Sequence, residues 1–225
     1  MVAILKFPSV DKADENGLLA IGGDLETESL LLAYESGIFP WPISEDMPLA
    51  WFSPNPRGIL EFKDFHMAKS FKKFLKKCTY TIEFNQNFET VIMNCAIAKR
   101  NDQDGTWITD EIISQYINLF KNGYAYSAET YLESNGIKRL VGGVYGVCIS
   151  NFYSGESMYH IEDNASKFAL YHLIQKLKAG GVKWFDTQMV TPVVESIGGK
   201  EVDRENFIEM LNATDIHKRI KPNHL

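Results

Sequence analysis

Cysteine is scarce in this chain of 225 residues, which contains three. Cys78, Cys95 and Cys148 lie far apart, form no C-x-x-C pair and have no histidine cluster beside them. This pattern argues against a disulfide framework and against a zinc site, and three buried or half-buried thiols are its simplest interpretation. We therefore expect a metal-free protein in a reducing cytoplasm.

The sequence also lacks long apolar runs, because none approaches the roughly 18–20 residues needed to cross a bilayer. The segment Met1 to Pro8 holds one lysine and too short an apolar run for a signal peptide. A hydrophobic content of 45% with 23% charged residues is ordinary for a soluble globular protein. We expect no association with a membrane.

Glycine motifs for cofactor binding or hydrolysis are missing as well. The run from Gly142 to Gly146 lies inside an apolar strand, whereas a dinucleotide loop joins a strand to a helix. Glycine within a strand more often indicates a bulge or a close backbone approach. No Gly-x-Ser-x-Gly nucleophile elbow is present.

Positive charge is in deficit overall, with a net charge of −6, but it is concentrated in one place. Residues 63–77 carry six lysines and one aspartate, a local charge of +5 that leaves −11 for the remainder. An amphipathic helix is predicted from His66 to Cys78, with Lys69, Lys72, Lys73, Lys76 and Lys77 on its polar side. This side is either a solvated surface or a docking site for phosphates, which would bind a nucleic acid without reading its bases.

Residues 1–60 differ in composition from the rest, because they are rich in glycine, proline and aromatic residues. One short helix, from Glu26 or Thr27 to Glu35, is predicted before Gly37. Prolines at this density exclude long helices and central strands. We therefore predict an α+β protein with a small turn-rich N-terminal domain over residues 1–60 and a second domain over residues 61–225.

The second domain alternates predicted helices and strands. A helix is expected from Asn87 to Ala98, a polar loop from Asn101 to Gly105, and a helix capped by Thr109 from Asp110 to Lys121. Two strands, Tyr124 to Leu132 and Lys138 to Ile149, flank an Asn-Gly hairpin signal at Asn135.

The candidate site lies in a strand–helix–strand segment. A strand from Phe152 to Met158 precedes a helix with Asn164 as its expected N-cap, and Gly180 and Gly181 end that helix before a strand from Val182 to Gln188. This order requires a right-handed parallel crossover. Strand alternation places Asp186 with Gln188, and Ser154 with Glu156 and Met158, on one face each. These polar groups form either a candidate active site at a sheet end or a satisfied structural network.

Three of the four tryptophans, Trp41, Trp51 and Trp107, lie in loop-like stretches. Such tryptophans can anchor loops in the core. They can also form an apolar pocket for a large side chain, or a platform on which a base stacks. The residues alone do not favour either interpretation.

Long motifs in a fixed order give the chain a family resemblance. The stretches Asn16–Leu25, Ala33–Trp41, Trp51–Arg57, Gly105–Thr109, Val141–Val147, Gly155–Met158 and Asn164–Lys167 resemble those of the leucyl/phenylalanyl-tRNA–protein transferases. The resemblance runs from about Phe7 to about Leu211. It implies a small N-terminal domain followed by a domain of the acetyltransferase-like (GNAT) fold. It also implies transfer of Leu or Phe, and possibly Met, from aminoacyl-tRNA to the N-terminal Lys or Arg of acceptor proteins, which marks them for N-degron degradation in the cytoplasm.

The resemblance also assigns residues. It implies catalytic roles for Asp186 and Gln188 with assistance from Glu156, and tRNA binding by the five lysines from Lys69 to Lys77. Its aminoacyl pocket matches six positions: Trp41, Trp107, Val144, Tyr153, Met158 and Leu173. Val144, Tyr153 and Leu173 stand where the family usually has Met, Phe and Phe, and Thr187 stands where it usually has Cys. We expect no cofactor and a monomer.

The resemblance suggests a mechanism in which Asp186, oriented with Gln188, takes or steers the proton of the incoming amine. Glu156 would position that amine or the terminal ribose. Replacing Asp186 by Ala should then abolish turnover and spare tRNA binding. Two alternatives are a CoA-dependent acyltransferase, which the glycine-free segment Tyr159 to Asn164 disfavours, and a non-catalytic tRNA-binding module, which leaves the three polar residues unexplained.

Overall fold

The computed structural model describes residues 3–43, 47–98 and 106–222. The predicted polar loop from Asn101 to Gly105 lies outside these ranges. The chain is α+β with a mixed sheet, as the sequence predicts. Among the helices of the described residues, none has the length and apolar character needed to cross a membrane.

A small sheet is built from the first sixty residues. Strands β1 (Leu18–Ile21), β2 (Phe39–Pro40) and β3 (Ala50–Phe52) pair antiparallel in the order β1-β3-β2, and helix α1 (Thr27–Glu35) lies between β1 and β2 in the chain. Buried Trp51 anchors this region, because its ring meets Phe7 edge-on at 4.8 Å and its Nε1 donates to the Gly22 carbonyl at 2.9 Å. The helix agrees with the prediction, whereas the three short strands were not predicted.

The remaining elements form a larger sheet and the helices that cover it. They are β4 (Arg57–Glu61), α2 (Lys69–Leu75), β5 (Tyr80–Phe84), α3 (Phe88–Ile97), α4 (Asp110–Lys121), β6 (Ala125–Ser134), β7 (Ile137–Ile149), β8 (Phe152–His160), α5 (Ala165–Ala179), β9 (Trp184–Gln188), α6 (Pro192–Glu195), β10 (Lys200–Val202) and α7 (Arg204–Asn212). The sheet order is β10-β4-β9-β8-β7-β6-β5. Neighbouring strands are antiparallel except β8 and β9, which are parallel. The predicted parallel crossover through α5 is therefore confirmed.

Local signals explain most of the boundaries. Asn135 and Gly136 both have positive φ, 53° and 73°, as a tight hairpin between β6 and β7 requires. The Thr109 hydroxyl accepts the Ile112 N–H at 3.3 Å and caps α4. A Cβ on Gly142 would lie 2.6 Å from the Cβ of Ala165, so this glycine lets α5 approach β7 closely, as the strand interpretation predicts.

One predicted helix boundary is right in position but not in its capping bond, and another is wrong. Asn164 occupies the N-cap position of α5 in the left-handed conformation, with φ 63°, and its side chain makes no capping bond. The lysine helix spans Lys69–Leu75 and not His66 to Cys78. Its N-cap residue, Ala68, has no side-chain acceptor that could cap the helix, and repulsion among lysines three and four residues apart disfavours extending it.

The large sheet separates two apolar clusters. Consecutive residues alternate between them, since Tyr145, Phe152 and Trp184 belong to the first cluster, and Val144, Tyr153 and Phe185 to the second. The first cluster is covered by α1, α3, α4 and α7, and the second by α5. The two clusters therefore occupy opposite faces of the sheet.

Candidate functional site

The polar residues meet where the parallel ladder of β8 and β9 ends. These strands share one register pair, Ser154 with Asp186. Each strand then carries an extra residue relative to its other neighbour: Glu156 falls between the pairs made by Gly155 and Ser157 with β7, and Thr187 between those made by Asp186 and Gln188 with β4. Bulges of this kind re-aim side chains. Here they turn Glu156 and Gln188 toward each other.

The bulge corrects one prediction. Ser154 and Glu156 share a face, as predicted, and their side chains are bonded at 3.1 Å. Met158 does not share it, because the extra residue reverses the alternation. Met158 pairs with Val144 and packs against the second cluster, whereas Glu156 bonds to Tyr34, which belongs to the first.

Asp186 is fully buried and fully bonded. Its Oδ1 accepts Arg57 Nε at 2.8 Å and the Gln188 backbone N–H at 2.9 Å. Its Oδ2 accepts Arg57 Nη2 at 2.6 Å and lies 3.2 Å from the Ser154 hydroxyl, whose single proton is shared between Asp186 and Glu156. The bidentate contact with the guanidinium fixes the position of the Asp186 carboxylate.

Arg57 is the partner that sequence reasoning missed. It is 1% exposed, and its guanidinium carbon lies 4.7 Å from the centre of the Phe39 ring and 4.5 Å from that of Phe207. Its Nη1 donates to the Gly37 carbonyl at 3.1 Å. Asp186 follows Phe185 in an apolar strand and thus required a cation, but the two residues are 129 positions apart, and no local signal pairs them.

Glu156 is half-buried and is bonded differently. Three side chains converge on its Oε1: the Tyr34 hydroxyl at 2.9 Å, the Ser154 hydroxyl at 3.1 Å and Gln188 Nε2 at 3.2 Å. Loss of solvent raises the pKa of Glu156 to about 7, and the Tyr34 hydrogen bond opposes this rise. The nearby charge of Asp186 adds to it. Glu156 can therefore exchange a proton near neutral pH.

Two tyrosines behind Glu156 were also not predicted. Tyr34 of α1 and Tyr116 of α4 are buried, and their hydroxyl oxygens lie 2.5 Å apart. Because Tyr34 donates its only hydroxyl proton to Glu156, Tyr116 donates to Tyr34. Burial raises the pKa of both phenols well above the usual value, and the charge of Glu156 raises them further. They therefore act as hydrogen-bond donors and not as bases.

Gln188 ends β9 in the left-handed conformation, with φ 55°, which is uncommon outside glycine. Its backbone N–H is fixed by Asp186, and its Nε2 donates to the Ser154 hydroxyl at 2.9 Å and to Glu156. Among the described residues, nothing donates to its carbonyl Oε1. That oxygen is available to accept a hydrogen bond from a bound substrate.

The six predicted pocket residues form two groups. Val144, Tyr153 and Leu173 are buried in the second cluster with partly exposed Met158 beside them. Trp41 and Trp107 stack on each other, with centroids 5.1 Å apart and planes at 17°, and belong to the first cluster. Four of the six residues therefore belong to the second cluster and the two tryptophans to the first.

All five predicted tRNA-binding lysines, from Lys69 to Lys77, are exposed on α2 or directly after it. Buried Phe71 attaches the helix to α5 through Tyr171, with ring centroids 6.4 Å apart. Within the described ranges, none of the five forms an ion pair with a carboxylate. The lysines therefore lie on the same side of the sheet as Val144 and Leu173, and their charge is not neutralised.

Comparisons with known proteins indicate the same family for both parts of the chain. A family described as "Leucyl/phenylalanyl-tRNA protein transferase" matches residues 59–212, and the N-terminal domain of that family matches residues 23–55. A leucyl/phenylalanyl-tRNA–protein transferase of Flavobacterium johnsoniae is 44% identical over 209 residues, which cover 93% of this chain and 96% of the relative. One of Colwellia psychrerythraea is 44% identical, with 91% and 85% covered.

Likeness to solved structures is much weaker. The structure of L-PGS from Bacillus licheniformis matches with a TM-score of 0.39 and 14% identity, over 75% of this chain and 54% of that one. This likeness is too low to support an argument about fold or chemistry.

Proposed function

The chain belongs to the leucyl/phenylalanyl-tRNA–protein transferase family and is an aminoacyl-tRNA–protein transferase, and we propose that it moves Leu or Phe to the N-terminal Lys or Arg of acceptor proteins. The observation that carries the chemistry is the convergence of Glu156 and Gln188 beside the anchored Asp186. The acceptors would be substrates of N-degron degradation in the cytoplasm, and the enzyme would work as a monomer without a cofactor.

We propose a GNAT-like fold for residues 61–225 and a separate small domain for residues 1–60. Two features support this division. The three-stranded sheet lies within residues 18–52, and the larger mixed sheet carries one parallel pair at its centre. Strand β4, Arg57–Glu61, crosses the proposed boundary and pairs within the larger sheet, so the link between the domains is itself structured.

The aminoacyl-tRNA, which is the donor substrate, would contact three parts of the protein. The exposed lysines of α2 would bind phosphates of the tRNA, an interaction that weakens with salt. The apolar group of Val144, Tyr153, Met158 and Leu173 would receive the Leu or Phe side chain, since partly exposed Met158 borders solvent. Trp41 and Trp107 stack on each other, and we assign them to the terminal adenine base, to which aromatic stacking is suited.

The reaction is aminolysis of an ester. The acceptor nitrogen attacks the carbonyl carbon, a C–N bond forms, and the C–O bond to the terminal ribose breaks. The nitrogen loses a proton and the leaving ribose oxygen gains one. The ester is already activated, so holding the amine against the carbonyl supplies much of the rate, with effects worth about 7–11 kcal/mol.

Glu156 fits the role of proton acceptor better than Asp186 does. An α-amino group has a pKa of about 7.7–8.0, close to the pKa of about 7 of Glu156, so transfer between them is nearly balanced. Gln188 Oε1 would accept another N–H of the amine and fix its direction. Asp186, bound by Arg57, would act as a positioning residue that holds Gln188 and Ser154.

The proposed function is tested by transfer of labelled Phe from Phe-tRNA to a peptide that begins with Arg. We expect transfer to this peptide and to one that begins with Lys. The same peptide with an acetylated N-terminus is the matched control and should receive nothing. A protein that binds Phe-tRNA but labels no peptide would be a binding module and not a transferase of this specificity.

A further inference from the structure

The segment that follows α7, residues 213–222, joins two elements that supply the site, and we call it the strap. It begins after residue 212, where the match to the family ends. Its Ile216 is buried in the first apolar cluster. At the turn between β7 and β8, the Ser150 backbone N–H donates to the Ile220 carbonyl at 2.8 Å, and the Ile220 N–H donates to the Ser150 hydroxyl at 3.1 Å. The strap is therefore fixed to the start of β8, the strand that carries Glu156.

Arg219 joins the strap to helix α1 through all three nitrogens of its guanidinium group. Its Nε and Nη2 donate to the two carboxylate oxygens of Glu35, the second at 3.1 Å, and its Nη1 donates to Glu28. Glu28 and Glu35 lie seven positions apart on α1, and therefore on one face of the helix. Glu35 is 8% exposed, so its charge needs a partner, and this cation supplies it. One side chain thus holds α1 near both of its ends.

The last turn of α1, which Arg219 holds, is also the turn that reaches the site. Tyr34 directly precedes Glu35, and its hydroxyl donates to Glu156 Oε1 at 2.9 Å. The two partners of this hydrogen bond come from α1 and β8. The strap fixes both elements, α1 through Arg219 and β8 through Ser150.

The hydrogen bond between Tyr34 and Glu156 is sensitive to the position of α1. A phenol oxygen is fixed to its ring, so it follows the backbone that carries the ring. Hydrogen bonds from a hydroxyl to an oxygen span about 2.5–3.0 Å. The observed 2.9 Å is near the upper end of that range, so a small shift of α1 away from β8 would weaken the bond.

We propose that Arg219 is a positioning residue for the transfer reaction, because it holds Tyr34 within hydrogen-bond distance of Glu156. The inference rests on the proposed function, in which Glu156 accepts the proton of the incoming amine. Arg219 would touch neither substrate, since its guanidinium is bound by Glu28 and Glu35. It acts on the reaction through α1.

The measured quantity is the pKa of Glu156. Loss of solvent raises this pKa to about 7, and the Tyr34 hydrogen bond opposes the rise. Removal of Arg219 weakens that bond, so the pKa should rise further. Other titratable or charged groups that face Glu156 are Tyr116 of α4, Arg57 of β4, Tyr153 of β8 and Asp186 of β9. Within the described residues, Arg219 bonds to none of these groups.

The test is an NMR titration of the Glu156 carboxyl carbon in the full chain carrying Arg219→Gln, together with the pH profile of Phe transfer. We expect the pKa to rise by about one unit, the scale of one hydrogen bond to a charged group. The rising limb of kcat/KM for a peptide that begins with Arg should move to higher pH by the same amount. Transfer should then fall about five- to tenfold near pH 6.5 and change little near pH 8.5.

Three further variants separate positioning from other effects. In a Tyr34→Phe background, Arg219→Gln should shift the Glu156 pKa no further, whereas a direct effect of the lost charge would shift it in both backgrounds. Lys218→Gln removes a neighbouring cation that pairs with Asp215 inside the strap at 3.0 Å, and it should behave as wild type. Arg219→Lys keeps the charge but not the planar fork, so it should give a smaller shift, and it replaces Arg219→Gln if that variant does not fold.

A lower melting temperature with an unchanged Glu156 pKa would overturn the proposal, because Arg219 would then only stabilise the fold. An equal shift with and without the Tyr34 hydroxyl would overturn it as well. Absence of any transfer by the wild-type protein would instead refute the proposed function, and the titration would still decide whether Arg219 positions Tyr34.

Discussion

The site holds two carboxylates in different surroundings. Asp186 is bonded to Arg57, and Glu156 is bonded to Tyr34. The Ser154 hydroxyl lies within hydrogen-bond distance of both carboxylates. Asp186 faces a guanidinium and accepts two hydrogen bonds from it and one from the Gln188 backbone N–H. Glu156 faces hydroxyls and an amide, which partly compensate its charge but do not neutralise it. The difference shows how one site can pair one carboxylate with a guanidinium and keep its neighbour able to exchange a proton.

The largest effect is expected from removing the Arg57 guanidinium that pairs with Asp186. Arg57→Ala leaves Asp186 buried and unpaired, so the free energy of unfolding should fall by about 3–5 kcal/mol. Urea unfolding measures this, and the double variant Arg57→Ala, Asp186→Ala should recover part of the loss. Wild-type stability in Arg57→Ala would mean that the ion pair does not anchor the site. Asp186→Ala alone should also be unstable, which differs from the sequence-based expectation of lost turnover with tRNA binding spared.

Glu156→Gln should reduce transfer by about 10²–10⁴-fold and remove a step in its pH dependence, because the proton acceptor is lost. In wild type, kcat/KM should rise with pH up to about 7 more steeply than titration of the acceptor amine alone requires. The variant should retain only the slope due to the amine. Single-turnover transfer assays between pH 5.5 and 8.5 measure both, and identical pH profiles would contradict the assignment.

The raised pKa of Glu156 also predicts how the stability of the folded protein depends on pH. Its folded pKa of about 7 exceeds its ordinary value of 4.5, so the folded protein binds the proton more tightly than the unfolded chain. The contribution of Glu156 to stability is therefore complete below about pH 4.5 and is lost as pH rises through 7. Relative to wild type, Glu156→Gln should gain stability between pH 5 and 8, by up to about 3 kcal/mol. Chemical denaturation at both pH values tests this, and a constant difference would contradict it.

A moderate effect is expected at the lysine helix, which lies apart from both carboxylates. Replacing Lys72, Lys73 and Lys76 by Ala should weaken tRNA binding on the order of tenfold and reduce the slope of log K against log salt by about 2–3. Replacing Lys6, Lys12 and Lys121, exposed lysines elsewhere, is the matched control. If both triple variants lose the same affinity, α2 is not the docking helix.

The smallest effect is expected on the melting temperature, from a substitution at Tyr153 in the second apolar cluster. The Tyr153 hydroxyl is buried without a hydrogen-bond partner in the described structure, a state that costs about 1–3 kcal/mol. Tyr153→Phe should therefore raise the melting temperature by a few degrees, since the ring keeps its packing against Phe185. Leu173→Ala is the opposite control and should lower it. A melting temperature that falls in Tyr153→Phe would show that the hydroxyl is satisfied.

The sequence predicts much of the fold where the signals are local. The hairpin at Asn135, the Thr109 cap and the crossover through α5 all follow from residues within one or two elements. Strand β4 could not be predicted, because its partners β9 and β10 lie more than a hundred residues later. Its own sequence is also short and mixes charged with apolar residues. Pairing over such separations depends on the tertiary structure.

For the candidate site, the sequence could identify the residues but not their roles. Asp186, Gln188 and Glu156 could be found because polar residues at the end of an apolar crossover are unusual. Their roles could not be assigned, since these depend on Arg57 and Tyr34, which come from distant elements. The bulge at Glu156 is equally invisible in sequence, and it decides that Met158 faces away from the carboxylates.

The most direct measurement is a titration of the glutamate side-chain carboxyl carbons by NMR in the folded protein, with Glu156→Gln to assign the resonance. We expect one glutamate resonance that titrates near pH 7 and is missing from the spectrum of the variant. A Glu156 resonance that titrates near pH 4.5 would contradict it.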